Sequence, residues 1–289
     1  MSDWLSVDPK SAMYIALNAT ITTGRVPWPE FVRLAARLGF GGAEVNLGRA
    51  MEAGVAETKA IFDHLRIRPA AAGLPVEFRK DDATFRQGLA KLDSQAKFLA
   101  AIGCYRMATW IPASSETPKS ELRKLWKERF TETAKVLAGH GMRLGLEFLG
   151  PLHLRKRSPH EFIWRMDEMT AFAADCGPNV GLLLDAWHWH HAGATVKDIL
   201  DAGKQRIVHV HISDAQKLPP EEVKDNDRLM PGEGVIDLNG FFGALKKIGY
   251  EDAVSPEVFG RGLKDMTPEE AARLALETAR TVMRKAGVA

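Results

Sequence analysis

The sequence is poor in cysteine, nearly balanced in charge and free of long apolar runs. Cys104 and Cys176 are its two cysteines among 289 residues, too few for a disulfide framework. Lys and Arg total 39 and Asp and Glu total 37, so the net charge of +2 predicts no general attraction to nucleic acid or to an anionic membrane. No apolar run approaches the roughly 18 residues of a transmembrane helix, and residues 1–10 do not resemble a secretory signal. We therefore expect a cytoplasmic protein with both thiols free.

What the chain does contain is a globular composition and a cluster of histidines. Hydrophobic residues make up 45% and charged residues 26% of the chain, which is typical of a soluble globular protein and argues against general disorder. Nine histidines are present, and five of them lie between positions 188 and 211. These five are His188, His190, His191, His209 and His211. Taken at face value, such a cluster suggests a histidine-rich metal site.

Short apolar segments alternate with longer amphipathic segments along the chain. The short segments predict strands at residues 14–18, 43–46, 69–72, 106–109, 143–147, 180–185, 207–213 and 253–257. The amphipathic segments predict helices at residues 29–38, 57–65, 82–102, 120–138, 159–174, 196–202, 238–248 and 267–285. Eight strand–helix units in one chain are typical of a (β/α)8 TIM barrel, an α/β fold with a closed parallel sheet.

A doubly wound open sheet is the alternative to the barrel. The segments 180–184 and 207–212 are continuously apolar, as expected of parallel strands that are covered on both faces, but this holds for either architecture. No Gly-x-Gly-x-x-Gly motif follows the first predicted strand, and no Pro-Gly linker divides the chain. We predict one TIM-barrel domain over residues 1–289, with its core at about residues 12–287.

Four residues that can bind a metal ion stand at the ends of four consecutive predicted strands. These residues are Glu147, Asp185, His211 and Glu257. The active sites of TIM barrels lie at the carboxyl ends of their strands, so the four side chains should converge. Unpaired carboxylates at such close range raise each other's pKa, and a divalent cation removes that repulsion. The ligand set of three oxygens and one nitrogen suits Mn²⁺, Mg²⁺, Co²⁺ or Zn²⁺, among which we favour Mn²⁺.

Each of these residues also has a simpler interpretation when it is taken alone. Either glutamate could pair with an Arg or Lys in the barrel mouth. Asp185 could cap a following turn, and His211 could be a buried core histidine. His209 shares a strand face with His211 but lies one layer deeper, so we expect it to support the site rather than bind metal. The four residues together favour a metal site.

Further residues are candidates for binding a substrate. His188 lies just beyond the sixth strand, where it could hydrogen-bond a substrate oxygen or support the metal ligands. Arg228 lies in the long loop 214–237 and could hold substrate hydroxyls, or instead form a surface salt bridge with Asp225 or Asp227.

Two more candidates lie near the ends of the second and fourth strands. Glu44 lies near the end of the second predicted strand, and Trp110 follows the fourth. A flat apolar side chain such as Trp110 would suit one face of a sugar ring. Both residues are also compatible with a role in packing alone.

The motifs around these residues resemble the sugar phosphate isomerase/epimerase superfamily, the xylose isomerase-like TIM barrels. The similar segments are Gly145-Leu-Glu-Phe148, Leu184-Asp-Ala-Trp-His188, His209-Val-His-Ile-Ser-Asp214, Arg228-Leu-Met-Pro-Gly-Glu-Gly234 and Ser255-Pro-Glu-Val258. They cover the C-terminal half, while the strand–helix alternation matches nearly the whole chain. The superfamily includes ketose 3-epimerases, inosose isomerases, inosose dehydratases and a DNA repair endonuclease.

The resemblance implies a role for each matching residue. It implies that Glu147, Asp185, His211 and Glu257 hold the metal and that the two glutamates also act as acid and base. It implies that His188 and Arg228 each hold a substrate oxygen. The epimerases have a further substrate-binding glutamate soon after the first ligand, and the segment 149–153 of this chain has none. That departure weighs against epimerisation of ketohexoses at C3.

We therefore expect a metal-dependent isomerase or epimerase of a sugar, sugar phosphate or cyclitol, in which the two glutamates transfer a proton through an enediolate. The first alternative is a metal-dependent dehydratase or lyase on a keto-sugar or inosose. The second is an AP-type endonuclease, against which the net charge of +2 weighs. The third is a sugar-binding barrel without activity, which would not need an acid–base pair. The expected partner is a small sugar, with no nucleic acid and no membrane, and a homo-oligomer is left open.

Overall fold

The structure, a computed structural model, describes residues 13–288. Within this range the barrel strands are β1 (Tyr14–Leu17), β2 (Gly42–Val45), β3 (Arg68–Gly73), β4 (Arg106–Trp110), β5 (Arg143–Glu147), β6 (Val180–Asp185), β7 (Ile207–Ile212) and β8 (Ala253–Pro256). Each strand pairs in parallel with the next one along the chain, and β8 pairs with β1 to close the barrel. The predicted fold, an α/β TIM barrel, is confirmed.

The helices lie on the outside of this barrel and at its rim. They are α1 (Glu30–Leu38), α2 (Leu47–Ala53), α3 (Val55–Leu65), α4 (Asp82–Ala101), α5 (Lys119–Ala138), α6 (Leu152–Arg155), α7 (Met166–Cys176), α8 (Ala186–His191), α9 (Val196–Ala202), α10 (Leu238–Lys247) and α11 (Pro268–Lys285). Within residues 13–288, none of them is long and apolar enough to cross a membrane.

Local sequence explains where the strands are buried and where the last helix begins. Every residue of β6 and β7 is buried, because helices cover the sheet outside and side chains fill the barrel inside. Helix α11 begins after Thr267, whose hydroxyl accepts the backbone N–H of Glu270 at 3.2 Å. The Glu270 carboxylate in turn accepts the backbone N–H of Thr267 at 2.8 Å, and Pro268 fits the first turn.

The helix predicted at residues 159–174 is wrong in its first turns, because α7 begins only at Met166. His160–Glu161 instead forms a short antiparallel pair with Ser114–Ser115. The side chain of Phe162, directly after this pair, is fully buried. The pairing keeps this segment extended, and the sequence periodicity did not distinguish this short strand from a helix.

Three short helices, α2, α6 and α8, are not predicted by the apolar pattern. Helices α6 and α8 have only four and six residues, too few for a helical stripe of apolar residues, and α2 buries only Ala50. Helix α2 begins after Asn46, whose side chain accepts the backbone N–H of Arg49 at 3.2 Å, and α8 begins after Asp185. All three helices follow the carboxyl ends of barrel strands, so they help to form the rim at which the candidate site lies.

The barrel sheet is packed closely at Gly181 in β6. A Cβ atom at this position would lie 2.3 Å from the carbonyl oxygen of Arg206. We expect Gly181→Ala to lower the free energy of unfolding by about 1–3 kcal/mol, because the backbone has to shift. Gly243→Ala in α10 is the matched control, since its Cβ would meet nothing within 4 Å and alanine favours a helix. Urea unfolding measures both variants, and equal stabilities would contradict this account of the packing.

Candidate metal and active site

Four strand ends bring the predicted metal ligands together at the carboxyl rim of the barrel. Glu147 ends β5, Asp185 ends β6, His211 lies in β7 and Glu257 directly follows β8. One ligand atom from each residue lies within 4.8 Å of those of the other three. The side chains converge because adjacent parallel strands end at the same edge of the barrel. Their role as metal ligands remains a prediction.

Two atoms of this cluster are buried without a hydrogen-bond partner in the described part of the chain, namely Glu147 Oε1 and His211 Nδ1. Burial raises the pKa of Glu147 well above its usual value, and the negative charges of Glu257 and Asp185 raise it further. An unsatisfied buried polar group costs about 1–3 kcal/mol. Both atoms can bind a divalent cation once they are deprotonated, and such an ion would satisfy both. The residues present therefore fit a divalent metal ion.

Asp185 has two functions in the structure at once. Its Oδ1 accepts the backbone N–H groups of Trp187 at 2.7 Å and His188 at 3.4 Å, so it caps α8. Its Oδ2 accepts a hydrogen bond from Arg228 Nη1 at 2.8 Å. Burial raises the pKa of Asp185, but the charge of Arg228, together with the neighbouring histidines and the backbone N–H of Trp187, outweighs burial and brings the pKa to about 2. Asp185 can therefore cap α8 and also belong to the cluster of predicted metal ligands.

Arg228 is buried in the site, with 2% of its surface exposed. Its Nη1 donates to Asp185 Oδ2 and to Glu257 Oε2, the latter at 3.1 Å. Its Nη2 donates to Asp225 Oδ1 at 2.9 Å and to His188 Nε2 at 3.1 Å, and its Nε donates to Asp225 Oδ1. The expected salt bridge with Asp225 is present, but it belongs to this buried network. All five N–H donors of the guanidinium have partners, so a substrate oxygen would have to replace one of them.

The contact with Arg228 determines the tautomer of His188. A guanidinium can only donate, so Nε2 of His188 is an acceptor and the ring proton is on Nδ1. Burial lowers the pKa of His188 to about 4, which agrees with a neutral ring. Nδ1 is buried and has no hydrogen-bond partner among residues 13–288. His188 can therefore donate a hydrogen bond to a substrate oxygen.

Glu44 lies beneath the cluster and contacts two histidines. Its Oε1 lies 3.0 Å from Nε2 of His209 and 3.0 Å from Nε2 of His211. Burial raises the pKa of Glu44, but the charge of His211 and these hydrogen bonds hold it well below its usual value. Burial lowers the pKa of His211, whereas Glu257 and Glu44 raise it and prevail. His209 also contacts the Ser255 hydroxyl at 3.3 Å, in keeping with the supporting role expected of it.

The predicted substrate-binding residues occupy different parts of the rim. Glu44 and Asn46 line a cavity of about 190 Å³ together with Asn18. Trp110 is 46% exposed, and the guanidinium of Arg79 lies 4.3 Å from the centre of its ring. Trp110 pairs in register with Glu147 on the neighbouring strand, but among residues 13–288 no described contact joins its ring to the side chains of the cluster, so its role as a sugar-facing wall remains a prediction.

The sequence patterns do not identify Phe259, which lies beside the site. The ring of Phe259 lies 4.6 Å from the guanidinium of Arg228 and lines a cavity of about 730 Å³ beside the site. Val258 and Leu263 line the same cavity, so its wall is partly apolar. The position of Phe259 shortly after the strand end at Glu257 is the signal that could have identified it.

The closed parallel barrel gathers three carboxylates and an imidazole at its carboxyl rim, which is where the active sites of TIM-barrel enzymes lie. The chain belongs to the xylose isomerase-like TIM barrel family, whose sequence profile matches residues 32–284. The predicted resemblance is confirmed.

Relatives of known activity include isomerases and dehydratases. The inosose isomerase of Bacillus velezensis is 30% identical over 233 residues, which cover 80% of this chain and 81% of that protein. The inosose dehydratase of Glaesserella parasuis is 28% identical over 138 residues, 43% of each chain. The longer match supports the predicted class of enzyme, an isomerase or epimerase acting on carbohydrates.

Solved structures with the same architecture cover nearly the whole chain. A xylose isomerase domain protein from Alicyclobacillus acidocaldarius has a TM-score of 0.88 and 29% identity, over 96% of this chain and 100% of that one. The IolI protein with a bound zinc atom has a TM-score of 0.81 and 24% identity, over 94% of this chain and 99% of that one. At that identity, the second likeness shows the fold alone.

Proposed function

We propose that this protein is a divalent-metal-dependent isomerase or epimerase of a cyclic polyol ketone, with an inosose as the first substrate to test. The observation that carries the proposal is the convergence of Glu147, Asp185, His211 and Glu257 on one small volume at the barrel rim. The inosose isomerase relative supports the substrate class, because its match extends over most of both chains.

The same four residues would hold the metal ion. Their three oxygens and one nitrogen fit Mn²⁺, Mg²⁺, Co²⁺ or Zn²⁺ without choosing among them. When bound, the ion supplies a Lewis acid that polarises a substrate carbonyl and acidifies the adjacent C–H bond. The side chains of the site carry out the proton transfers and orient the substrate.

Two glutamates are available for proton transfer. Glu147 and Glu257 extend from β5 and from the end of β8, with β6 and β7 between them, so they reach the substrate from different directions. One carboxylate removes the proton beside the carbonyl, and the other returns a proton. Return to the opposite face of the same carbon gives an epimer, whereas return to the neighbouring carbon gives an isomer.

Two further residues orient the substrate and balance charge. His188 donates a hydrogen bond from Nδ1–H to a substrate oxygen, since its Nε2 already accepts one from Arg228. Arg228 bridges Asp185 and Glu257, so its positive charge lies between the two carboxylates in a buried environment. The network therefore holds Glu257 in place beside the other three residues of the cluster.

A dehydratase is the second candidate function. It would use the same proton abstraction but expel a hydroxide from the β carbon as water. The inosose dehydratase relative favours this candidate, although its match covers less than half of either chain. Both candidates begin with exchange of the proton next to the carbonyl, so the fate of the product separates them.

A proton-exchange experiment in D₂O tests the proposal. The purified protein with Mn²⁺ is offered a panel of inososes, keto-sugars and sugar phosphates, and products are followed by NMR and mass spectrometry. We expect deuterium in an inosose or its isomer without change of composition. Loss of water would identify the dehydratase instead. Absence of exchange with every member of the panel, in a protein shown to bind Mn²⁺, would contradict both candidates.

A further inference from the structure

Both carboxylate oxygens of Glu44 form hydrogen bonds with side chains from other parts of the barrel. Its Oε1 lies 3.0 Å from Nε2 of both His209 and His211, and its Oε2 accepts a hydrogen bond from Asn18 Nδ2 at 2.9 Å. Asn18 is itself fixed, because its Oδ1 accepts the backbone N–H and the hydroxyl of Thr20 at 2.8 and 2.7 Å. The position of the carboxylate is thus determined from three sides.

These contacts determine which nitrogen of His211 keeps its proton when a metal ion binds. An ionised carboxylate can only accept, so each imidazole donates to it through Nε2–H. An imidazole that binds an ion through one nitrogen keeps a proton only on the other, so His211 with its Nε2–H on Glu44 offers the Nδ1 lone pair to the ion. Nδ1 lies 3.4 Å from Glu257 Oε2, on the side of the three carboxylates, and has no hydrogen-bond partner in residues 13–288.

We propose that Glu44 is the positioning residue of the metal site. It fixes the tautomer and the ring orientation of His211, so that the Nδ1 lone pair is directed at an ion held with Glu147, Asp185 and Glu257. A carboxylate on the outer nitrogen of a ligating imidazole also raises the basicity of the ligand. This inference rests on the metal site of the proposed function, and it assigns Glu44 a role that does not require contact with the substrate.

The alternative is a second ion between Glu44, His209 and His211, whose ligand atoms also lie within 4.8 Å of one another. The two separations of 3.0 Å are those of N–H···O hydrogen bonds. With Asn18 on the other oxygen, the carboxylate is satisfied by these donors. The hydrogen-bonded arrangement is therefore complete without a second ion, and the number of bound ions distinguishes the two interpretations.

The decisive measurement is the affinity of Glu44→Gln for metal alone. Mn²⁺ is titrated against a competing fluorescent chelator, in the wild type and in the variant. We expect the dissociation constant to rise by about 10- to 100-fold, because the amide cannot serve as an ionised acceptor for two imidazoles. Glu57→Gln is the matched control: it removes the same charge from an exposed position in α3, and its affinity should equal that of the wild type.

A spectroscopic readout separates positioning from a general loss of stability. In protein loaded with Zn²⁺ and labelled with ¹⁵N-histidine, we expect His211 to show Nε2–H as a strongly hydrogen-bonded proton and Nδ1 as the metal-bound nitrogen. In Glu44→Gln that proton signal should move or vanish. Glu44→Asp retains the charge at a shorter reach, so it should restore part of the affinity, and it replaces Glu44→Gln if the latter does not fold.

Three results would overturn the inference: an unchanged affinity in Glu44→Gln, the opposite tautomer of His211 in the wild type, or two bound ions in the wild type and one in the variant. Failure of the proposed function has a different signature. In that case the wild type itself would bind neither Mn²⁺ nor Zn²⁺, or would bind the ion and exchange no substrate proton.

Discussion

Glu257→Gln should abolish turnover while substrate binding largely survives. Glutamine has the shape of glutamate and can still accept a hydrogen bond from Arg228, but its amide cannot take up a proton from carbon. Loss of a general base lowers kcat by about 10²- to 10⁴-fold, whereas contacts made by His188 remain in place. The comparison of kcat with the substrate dissociation constant, at saturating Mn²⁺, measures the two effects separately.

The control for this variant lies at the other end of the same strand. Glu251 precedes β8 at the amino end of the barrel, where it is exposed and pairs with Lys204 Nζ at 2.9 Å. Glu251→Gln changes the charge by the same amount and should leave kcat unaltered. Because Glu257 is also a predicted metal ligand, the Mn²⁺ content of each variant has to be measured alongside turnover. Activity retained by a metal-loaded Glu257→Gln would refute its assignment as an acid–base residue.

Arg228→Met should destabilise the metal-free protein by about 3–5 kcal/mol, the range found when one partner of a buried ion pair is removed. The guanidinium is 2% exposed and bridges two carboxylates, and methionine leaves Asp185 and Glu257 unpaired in the barrel. Urea unfolding in the presence of a chelator measures the loss. Excess Mn²⁺ should recover part of it, since a bound cation would neutralise the same two carboxylates.

Arg261 offers a matched comparison for this second prediction. It pairs with Glu233 at 2.7 Å, but its side chain is 35% exposed, so water screens the interaction. Arg261→Met should therefore change the free energy of unfolding by no more than about 1 kcal/mol. Arg228→Lys should fall between the two, because an ammonium keeps the charge but lacks the planar fork that serves Asp185, Glu257 and Asp225 together. An Arg228→Met protein as stable as Arg261→Met would show that the buried network contributes little.

The strands and the main site residues were predictable because they depend on local patterns. The apolar segments 180–184 and 207–212 are continuous, and each is followed by polar residues, so both the strand and its end are visible in the sequence. The first residues of helices were harder to predict where tertiary packing determines them, as in the segment 159–174. There the pairing of His160–Glu161 with Ser114–Ser115 outweighs the apparent helical periodicity.

Among the clustered histidines, too, local patterns predict the positions of some residues and tertiary structure decides those of others. Alternation along β7 placed His209 and His211 on one face, and the deeper position of His209 was foreseen. The apolar pattern does not predict helix α8, which carries His188, His190 and His191. Its cap is the carboxylate of Asp185, a residue whose two functions are not separable from sequence alone.

By itself, the sequence determined the order of eight strands and helices and the placement of Glu147, Asp185, His211 and Glu257 at strand ends. These features follow from periodicity and from the polarity that ends each apolar segment. Only the tertiary structure decided that Glu44 meets His211, since 167 positions separate them along the chain and closure of the barrel brings them together. It also decided that Arg228 is a buried bridge rather than a surface cation, because burial depends on how the loop folds over the rim.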